Sequence, residues 1–212
     1  MGIQAVFFDK DGTLIQDVPY NAEPRLMHLT PGVAPGLRLL HAACYRIIVV
    51  SNQSGVARGY FPESALVVVE ERLSNLLAEI EVPLTGFYYC PHHSEGILAE
   101  YSFDCSCRKP QAAGRSYPPG ARDHGIDLAG SWLVGDILDD IEAGCRAGCR
   151  TILIDNGNET EWVLSPERLP HHMVTDITQA AHIITCLNKY SSIDAHEGKV
   201  EARPFSIRRY EQ

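Results

Sequence analysis

The chain has 212 residues and a formal net charge of −9 at pH 7, with 45% hydrophobic and 21% charged residues. These values are typical of one globular domain that is large enough to bury a sizeable core. The negative charge argues against nucleic acid as a partner, because no basic stripe is available to neutralise phosphates. No apolar stretch is long enough to cross a bilayer, and Asp9 and Lys10 interrupt any N-terminal secretory signal. We therefore expect a cytoplasmic protein without a membrane partner.

Strand-like and helical patterns alternate along the chain. Short apolar and β-branched runs predict strands near residues 3–8, 46–51, 86–90, 131–135, 150–154 and 172–175. Apolar residues at helical spacing predict helices near 34–44, 62–80, 139–147 and 177–188. This alternation predicts an α/β fold, a doubly wound parallel sheet with helices on both faces and no large cap domain. The predicted domain spans residues 1–188, and the polar residues 189–212 are predicted to form a tail.

The first predicted strand leads directly into two aspartates, Asp9 and Asp11. Residues i and i+2 past a strand end tend to point in the same direction, so the two carboxylates can share one pocket. One of them can attack phosphorus as a nucleophile. The other can protonate the leaving oxygen and later activate water. The alternative is an ordinary Asx turn at the surface.

The second predicted strand ends in the segment Ser51, Asn52, Gln53, Ser54 and Gly55. Hydroxyl, amide and backbone N–H donors at a strand end suit the oxygens of a phosphate group. The same composition also occurs in ordinary polar turns. Further along, the adjacent Arg108 and Lys109 offer two cations to a phosphoryl group, or else form a solvated basic pair.

Four potential metal ligands form a C-x-H pair and a C-x-C pair: Cys90, His92, Cys105 and Cys107. Three thiolates and one imidazole are a standard ligand set for structural zinc. We predict a Zn²⁺ site that staples the loop 90–107, with His93 as an alternative ligand. Disulfides or free thiols are the other interpretation. The remaining cysteines fall in apparent helices and are predicted to be small core residues: Cys44, Cys145, Cys149 and Cys186.

The fourth predicted strand also leads into a carboxylate, Asp136. The carboxyl ends of parallel strands meet at the edge where open α/β sheets bind ligands. A hard cation such as Mg²⁺ prefers oxygen ligands and keeps several waters. We therefore predict a Mg²⁺ site formed by Asp9, Asp11 and Asp136, in which a backbone carbonyl completes the set.

Four motifs together resemble the haloacid-dehalogenase superfamily of aspartate-dependent phosphatases: D-x-D-G-T, a strand ending in Ser, a Lys, and G-D-x-x-x-D. The resemblance covers roughly residues 3–155 and implies a Rossmann-like fold. It implies the following roles: nucleophile Asp9, general acid and base Asp11, phosphoryl-stabilising Ser51 and Lys109, metal ligand Asp136 and supporting carboxylate Asp140.

The zinc loop directly before C-R-K-P is similar to one branch of that superfamily, the D-glycero-D-manno-heptose-1,7-bisphosphate phosphatases and the related histidinol-phosphate phosphatase domains. The segments D-K-D-G-T, S-N-Q-S-G-V-A-R-G, Y-Y-C-P-H-H and C-x-C-R-K-P carry this similarity. It implies a Mg²⁺-dependent phosphatase that removes the 7-phosphate of the heptose bisphosphate during ADP-heptose and lipopolysaccharide precursor synthesis. It also implies the substrate contacts Asp17, Tyr20, Ser51, Asn52, Gln53, Ser54, Arg108 and Lys109.

Two other functions fit the same motifs. Histidinol phosphate or another small sugar phosphate would be cleaved by the same chemistry, and a non-catalytic sugar-phosphate binding protein is a third interpretation. In each case we expect a monomer whose partner is a small phosphorylated molecule.

The chain departs from this branch at two places. Some heptose enzymes have Lys directly after the aspartate of the fourth motif, where this chain has Ile137. The segment 111–125 contains no Leu, Ile, Val or Met, and its prolines and glycines disfavour a regular helix. We therefore predict an irregular crossover there, with at most a short helix near 121–124.

Overall fold

Six parallel strands form one sheet in a computed structural model that describes residues 2–111 and 121–194. The strands are β1 (Ala5–Phe8), β2 (Arg46–Asn52), β3 (Leu84–Cys90), β4 (Trp132–Gly135), β5 (Arg150–Ile154) and β6 (His172–Val174). Their spatial order is β3-β2-β1-β4-β5-β6, and every neighbouring pair is parallel. The order reverses between β1 and β4, which is the switch point where such sheets bind ligands. The predicted doubly wound sheet is confirmed.

The α-helices of the described residues cover both faces of this sheet. They are α1 (Val33–Ala42), α2 (Ala65–Ala78), α3 (Leu138–Ala147) and α4 (Ile177–Asp194). Helices α1, α2 and α4 bury their apolar sides against one face. Helix α3 and the segment 121–128 cover the other. Helices α1 and α4 pack closely at Gly36, where there is no room for a side chain. A Cβ at this position would lie 2.8 Å from the carbonyl oxygen of Ile177.

Strand β1 lies at the centre of the sheet and is buried on both faces. Val6 and Phe8 belong to the core on the side of α1, whereas Ala5 and Phe7 belong to the core on the side of α3. Burial on both faces explains why the strand is a continuous apolar run rather than an alternating one. It also places the residue that follows, Asp9, at the middle of the ligand-binding edge.

Several boundaries differ from the prediction. Helix α4 continues to Asp194, six residues into the predicted tail, because no glycine or proline interrupts its polar end. Helix α2 begins at Ala65 rather than at residue 62. Residues 121–125 form turns, in agreement with the irregular crossover that the sequence predicts. The rest of the irregular segment, 112–120, and the rest of the tail, 195–212, lie outside the described residues.

Two of the cysteines predicted to be core residues are exposed, Cys44 and Cys186. Cys44 follows the end of α1 in the left-handed region, with φ of 66°, so it lies in a connection and not in a helix. Within residues 2–111 and 121–194, no helix has both the length and the apolar character needed to cross a bilayer.

Candidate active site

The carboxyl ends of β1, β2 and β4 meet around a cavity of about 230 Å³. Its lining contains all four predicted catalytic residues, Asp9, Asp11, Ser51 and Lys109. It also contains the predicted metal ligand Asp136, the predicted substrate contacts Asp17 and Asn52, and two residues without a predicted site role, Ile137 and Asn158. Segments more than 100 residues apart in sequence therefore contribute to one site, and they do so at the switch point of the sheet.

Lys109 lies at the centre of the charge network. Its ammonium is 2.6 Å from Asp9 Oδ1 and 2.6 Å from Asp140 Oδ1, and it donates to the carbonyl oxygen of Val50 at 2.9 Å. Only 2% of Lys109 is exposed. A buried ammonium is costly unless it is paired and hydrogen-bonded, and here it is both. The geometry places one positive charge directly beside Asp9, where an incoming phosphoryl group would need it.

Three buried carboxylates are close enough to share a cation. Oxygens of Asp9, Asp136 and Asp140 lie within 4.8 Å of one another. Burial, and next the charge of Asp9, raise the pKa of Asp136 to about 6. Burial also raises the pKa of Asp140, although the ammonium of Lys109 opposes this. An all-oxygen donor set with excess negative charge fits a hard divalent cation such as Mg²⁺.

Asp11 does not belong to this carboxylate cluster. One of its oxygens is 2.5 Å from the ammonium of Lys10, and the other accepts a hydrogen bond from Gln53 Nε2 at 3.0 Å. The predicted Mg²⁺ ligand Asp11 therefore stands apart from the cluster formed by Asp9, Asp136 and Asp140. Burial raises the pKa of the Asp11 carboxyl, with Lys10 acting in the opposite direction. A raised pKa favours the protonated form that a general acid needs.

Lys10 was not singled out by the sequence, and its side chain is fully buried. The sequence signal that could have identified Lys10 is its position between Asp9 and Asp11 at the end of an apolar strand, where a cation is expected to pair with a carboxylate. Gln53 was predicted to contact substrate. In the structure it is also buried, and its amide bridges Asp11 and Ser51, with 2.8 Å between Gln53 Nε2 and Ser51 Oγ.

A second cavity of about 250 Å³ adjoins the first and shares Asp11, Asp17 and Asn52 with it. Tyr20 and Ser54, both predicted substrate contacts, line this second cavity. The Tyr20 ring lies 4.5 Å, centroid to centroid, from the ring of Tyr60. Together the two cavities form a groove that leads from the carboxylates to an aromatic pair.

Two of the predicted substrate contacts, Asn52 and Arg108, also have protein partners. The side-chain amide of Asn52 makes two hydrogen bonds with the backbone of Lys109. The guanidinium of Arg108 donates to the carbonyl oxygen of His92 at 3.3 Å and so connects to the cysteine-rich loop. Ile137, one of the two departures noted in the sequence, lines the first cavity.

The loop after β5 also reaches the site, which the sequence analysis missed. Asn158 Nδ2 donates to Asp136 Oδ2 at 2.7 Å, and Asn156 Nδ2 donates to the carbonyl oxygen of Gly12 at 2.8 Å. Gly12 has φ of 76°, and a Cβ there would lie 2.1 Å from Asp136 Oδ2. The available signal was D-N-G-N directly after a strand that ends at the same edge of the sheet.

The four predicted zinc ligands converge. The three sulfurs of Cys90, Cys105 and Cys107 are 3.2–3.3 Å apart. His92 Nδ1 lies 3.7 Å from the first of them and 3.5 Å from the last. The three cysteines are free, as a metal site requires, whereas the disulfide interpretation requires paired cysteines. His93, the alternative ligand, is directed instead to Arg58 Nη2 at 3.2 Å. This donor set fits Zn²⁺.

The sequence matches two family models, polynucleotide kinase 3 phosphatase over residues 4–137 and HAD-hydrolase-like over residues 106–180. It is 38% identical over 177 residues to D-glycero-β-D-manno-heptose-1,7-bisphosphate 7-phosphatase of Salmonella typhi, which covers 77% of this chain and 90% of the relative. The enzyme of the same name from Haemophilus influenzae is 41% identical over 155 residues, covering 73% of this chain and 83% of the relative.

Solved structures give the same picture. A HAD-like phosphatase from Mesorhizobium loti superposes with a TM-score of 0.74 at 31% identity, covering 87% of each chain. The D,D-heptose 1,7-bisphosphate phosphatase of B. bronchiseptica, complexed with magnesium and phosphate, superposes with a TM-score of 0.69 at 26% identity. That match covers 88% of this chain and 99% of the other.

Proposed function

We propose that this chain, which belongs to the haloacid-dehalogenase-like phosphatases, removes the 7-phosphate of D-glycero-D-manno-heptose 1,7-bisphosphate. The observation that carries the chemistry is the buried ammonium of Lys109 between Asp9 and Asp140, at 2.6 Å from each. The substrate is proposed from the relatives, since enzymes with 38% and 41% identity carry that name. The groove beside the carboxylates offers polar and aromatic side chains to a phosphorylated sugar.

In the proposed reaction a carboxylate oxygen of Asp9 attacks phosphorus, and the bond from phosphorus to the sugar oxygen breaks. Asp11 gives its proton to that oxygen, which leaves as a hydroxyl. Asp11 then takes a proton from water, whose oxygen attacks the aspartyl-phosphate and releases inorganic phosphate. Lys109 neutralises charge on the transferring group throughout, which is most of what phosphoryl transfer needs.

Asp9 and Asp136 would hold the Mg²⁺, together with a backbone carbonyl. When bound, this cation supplies positive charge to the phosphoryl oxygens. Its charge matters because four carboxylates line the groove, Asp9, Asp11, Asp17 and Asp136, and a fifth, Asp140, is buried beside Lys109. Two lysines, Lys10 and Lys109, pair with members of this set, so an anionic substrate needs the additional cation.

The proposal includes a structural Zn²⁺ held by Cys90, His92, Cys105 and Cys107. It also places the enzyme in the cytoplasm, where reducing conditions keep such thiols available to a metal. The zinc loop ends directly before Arg108 and Lys109. Ordering this loop would therefore order the approach to the catalytic lysine.

The experiment is a parallel assay of phosphate release from both anomers of the heptose bisphosphate, histidinol phosphate, fructose bisphosphate and an oligonucleotide 3′-phosphate. The last substrate tests the activity named by one matching family model, which the net charge of −9 disfavours. We expect one heptose anomer to have the highest kcat/KM. Asp9→Asn should reduce it by a factor of about 10³ or more, since the nucleophile is lost. A higher kcat/KM on any other substrate would refute the proposed substrate.

A further inference from the structure

The side chain of Asn52 forms a two-bond clamp on the backbone of Lys109. Asn52 Nδ2 donates to the carbonyl oxygen of Lys109 at 3.0 Å, and the Lys109 N–H donates to Asn52 Oδ1 at 3.1 Å. The two residues are 57 positions apart in sequence. A primary amide presents a donor and an acceptor side by side, so it pairs with a backbone N–H and C=O as a neighbouring strand would.

The clamp matters because Lys109 does not belong to a strand or helix. It lies in the connection that follows the cysteine-rich loop, in a turn. Strand β2 nevertheless holds it at both ends, since Asn52 binds its backbone and the carbonyl oxygen of Val50 accepts from its ammonium at 2.9 Å. Val50 and Asn52 are two residues apart on one strand. These contacts with strand β2 therefore fix the position of Lys109, although Lys109 itself lies in a loop.

We infer that Asn52 is a positioning residue whose side chain acts through Lys109, whereas the resemblance to the heptose phosphatases implied a direct substrate contact. This inference rests on the proposed phosphatase function. The ammonium of Lys109 must stay between Asp9 and Asp140, where it lies 2.6 Å from each oxygen. Charge stabilisation depends on such preorganisation, and a displacement of about 1 Å in a catalytic group can cost roughly 10²-fold in rate.

The alternative role for Asn52 is direct contact with the substrate. Asn52 lines both cavities of the groove, and its amide retains a second N–H that could reach a substrate oxygen. The two roles predict different behaviour when Lys109 is absent. A positioning residue has nothing left to position, whereas a substrate contact continues to contribute.

The test is a double-mutant cycle on kcat/KM for an aryl phosphate, using Asn52→Ala, Lys109→Ala and the double variant. We expect Asn52→Ala to lower kcat/KM about 10–100-fold, mainly through kcat, in the wild-type background. In the Lys109→Ala background it should change kcat/KM by less than about threefold, because groups that act as a unit are non-additive. The matched control is Asn75→Ala on helix α2, where the asparagine is exposed.

Lys109→Ala leaves two buried carboxylates without their cation and could prevent folding, so a second measurement avoids that variant. NMR hydrogen exchange of the Lys109 amide should be at least about tenfold faster in Asn52→Ala than in wild type or Asn75→Ala, since its acceptor is gone. The Tm values of Asn52→Ala and Asn75→Ala should agree within a few degrees.

Equal fold-losses from Asn52→Ala in both backgrounds would overturn the inference and support direct substrate contact. Unchanged exchange at the Lys109 amide would overturn the clamp itself. A wild type that hydrolyses no phosphate ester would refute the proposed function instead, and the exchange measurement would still decide the clamp.

Discussion

Asp11 is held by two donors, one on each oxygen of its carboxyl group. Lys10 occupies one oxygen at 2.5 Å, and Gln53 occupies the other at 3.0 Å. Each carboxylate oxygen has a second acceptor site beyond these donors, and Asp11 lines both cavities of the groove. This arrangement suits a group that acts first as an acid and then as a base.

Asp11→Asn removes this proton donor while nearly preserving the shape. We expect kcat for a sugar phosphate to fall roughly 10²–10⁴-fold, the usual contribution of a positioned acid or base. The loss should be smaller for an aryl phosphate, because an aryl leaving group departs without protonation. Steady-state kinetics on both substrates checks this, and equal losses on the two would contradict the acid role.

Asn158 fixes the orientation of a carboxylate that we propose as a Mg²⁺ ligand. Its Nδ2 donates to Asp136 Oδ2 at 2.7 Å, while Thr13 Oγ1 donates to Asp136 Oδ1 at 2.8 Å. Outer partners of this kind typically contribute 10–100-fold to metal affinity. We therefore expect Asn158→Ala to weaken Mg²⁺ binding about tenfold in a calorimetric titration.

The matched control for that change is Thr160→Ala, an exposed position two residues along the same loop. It should leave the Mg²⁺ dissociation constant within about twofold of the wild-type value, as expected for a surface substitution. Tighter Mg²⁺ binding in Asn158→Ala would show that the asparagine competes with the cation for Asp136.

Local sequence determines most of the secondary structure in this fold. The apolar runs of β1, β2 and β4 and the carboxylates that follow them are visible in sequence, since buried parallel strands need such runs. The contacts between distant segments were not visible. Asn158 occurs in a polar loop with no predicted role, and Asn52 occurs in a segment that was predicted to bind phosphate rather than to contact Lys109. Their partners, Asp136 and Lys109, are set by the tertiary arrangement of strand ends.

The cysteine-rich loop supports the groove through the turn that follows β2. The carbonyl oxygen of Ala57 accepts from the backbone N–H groups of Ile97 and Leu98 at 2.8 Å and 3.1 Å. The same loop ends directly before Arg108, whose guanidinium binds back to the His92 carbonyl. A metal at the cysteines would thus order both walls of the approach to the site.

Cys107→Ser should therefore lose zinc and impair catalysis indirectly. We expect about one zinc per chain in the purified wild type and substantially less in the variant, measured by elemental analysis after dialysis against a weak chelator. The Michaelis constant should rise because the neighbouring basic pair loses its support. Cys186→Ser, which removes an exposed thiol outside the cluster, should behave as wild type. A zinc-free wild type with full activity would contradict this prediction.

The buried carboxylates of the site make the stability of the protein depend on pH. Burial raises the pKa of Asp136 to about 6 from an ordinary value of 3.8, so the folded state binds this proton more tightly than the unfolded state. The free energy of unfolding therefore falls as the pH rises through this range. Between pH 5 and 7 this group alone should remove about 1 kcal/mol in Mg²⁺-free buffer, which lowers the Tm by about 2–4 °C for a chain of this size.

Thermal unfolding of wild type and Asp136→Asn at pH 5, 6 and 7 isolates this effect, because the variant cannot ionise at that position. The comparison is needed because His171 changes stability in the opposite direction. Burial lowers the pKa of His171, so through this group the free energy of unfolding falls as the pH falls. We expect the wild type to lose more stability than the variant between pH 5 and 7. Saturating Mg²⁺ should remove the difference in slope, because the cation favours the ionised carboxylate. Parallel profiles in Mg²⁺-free buffer would mean that Asp136 ionises as readily in the folded chain as in the unfolded one.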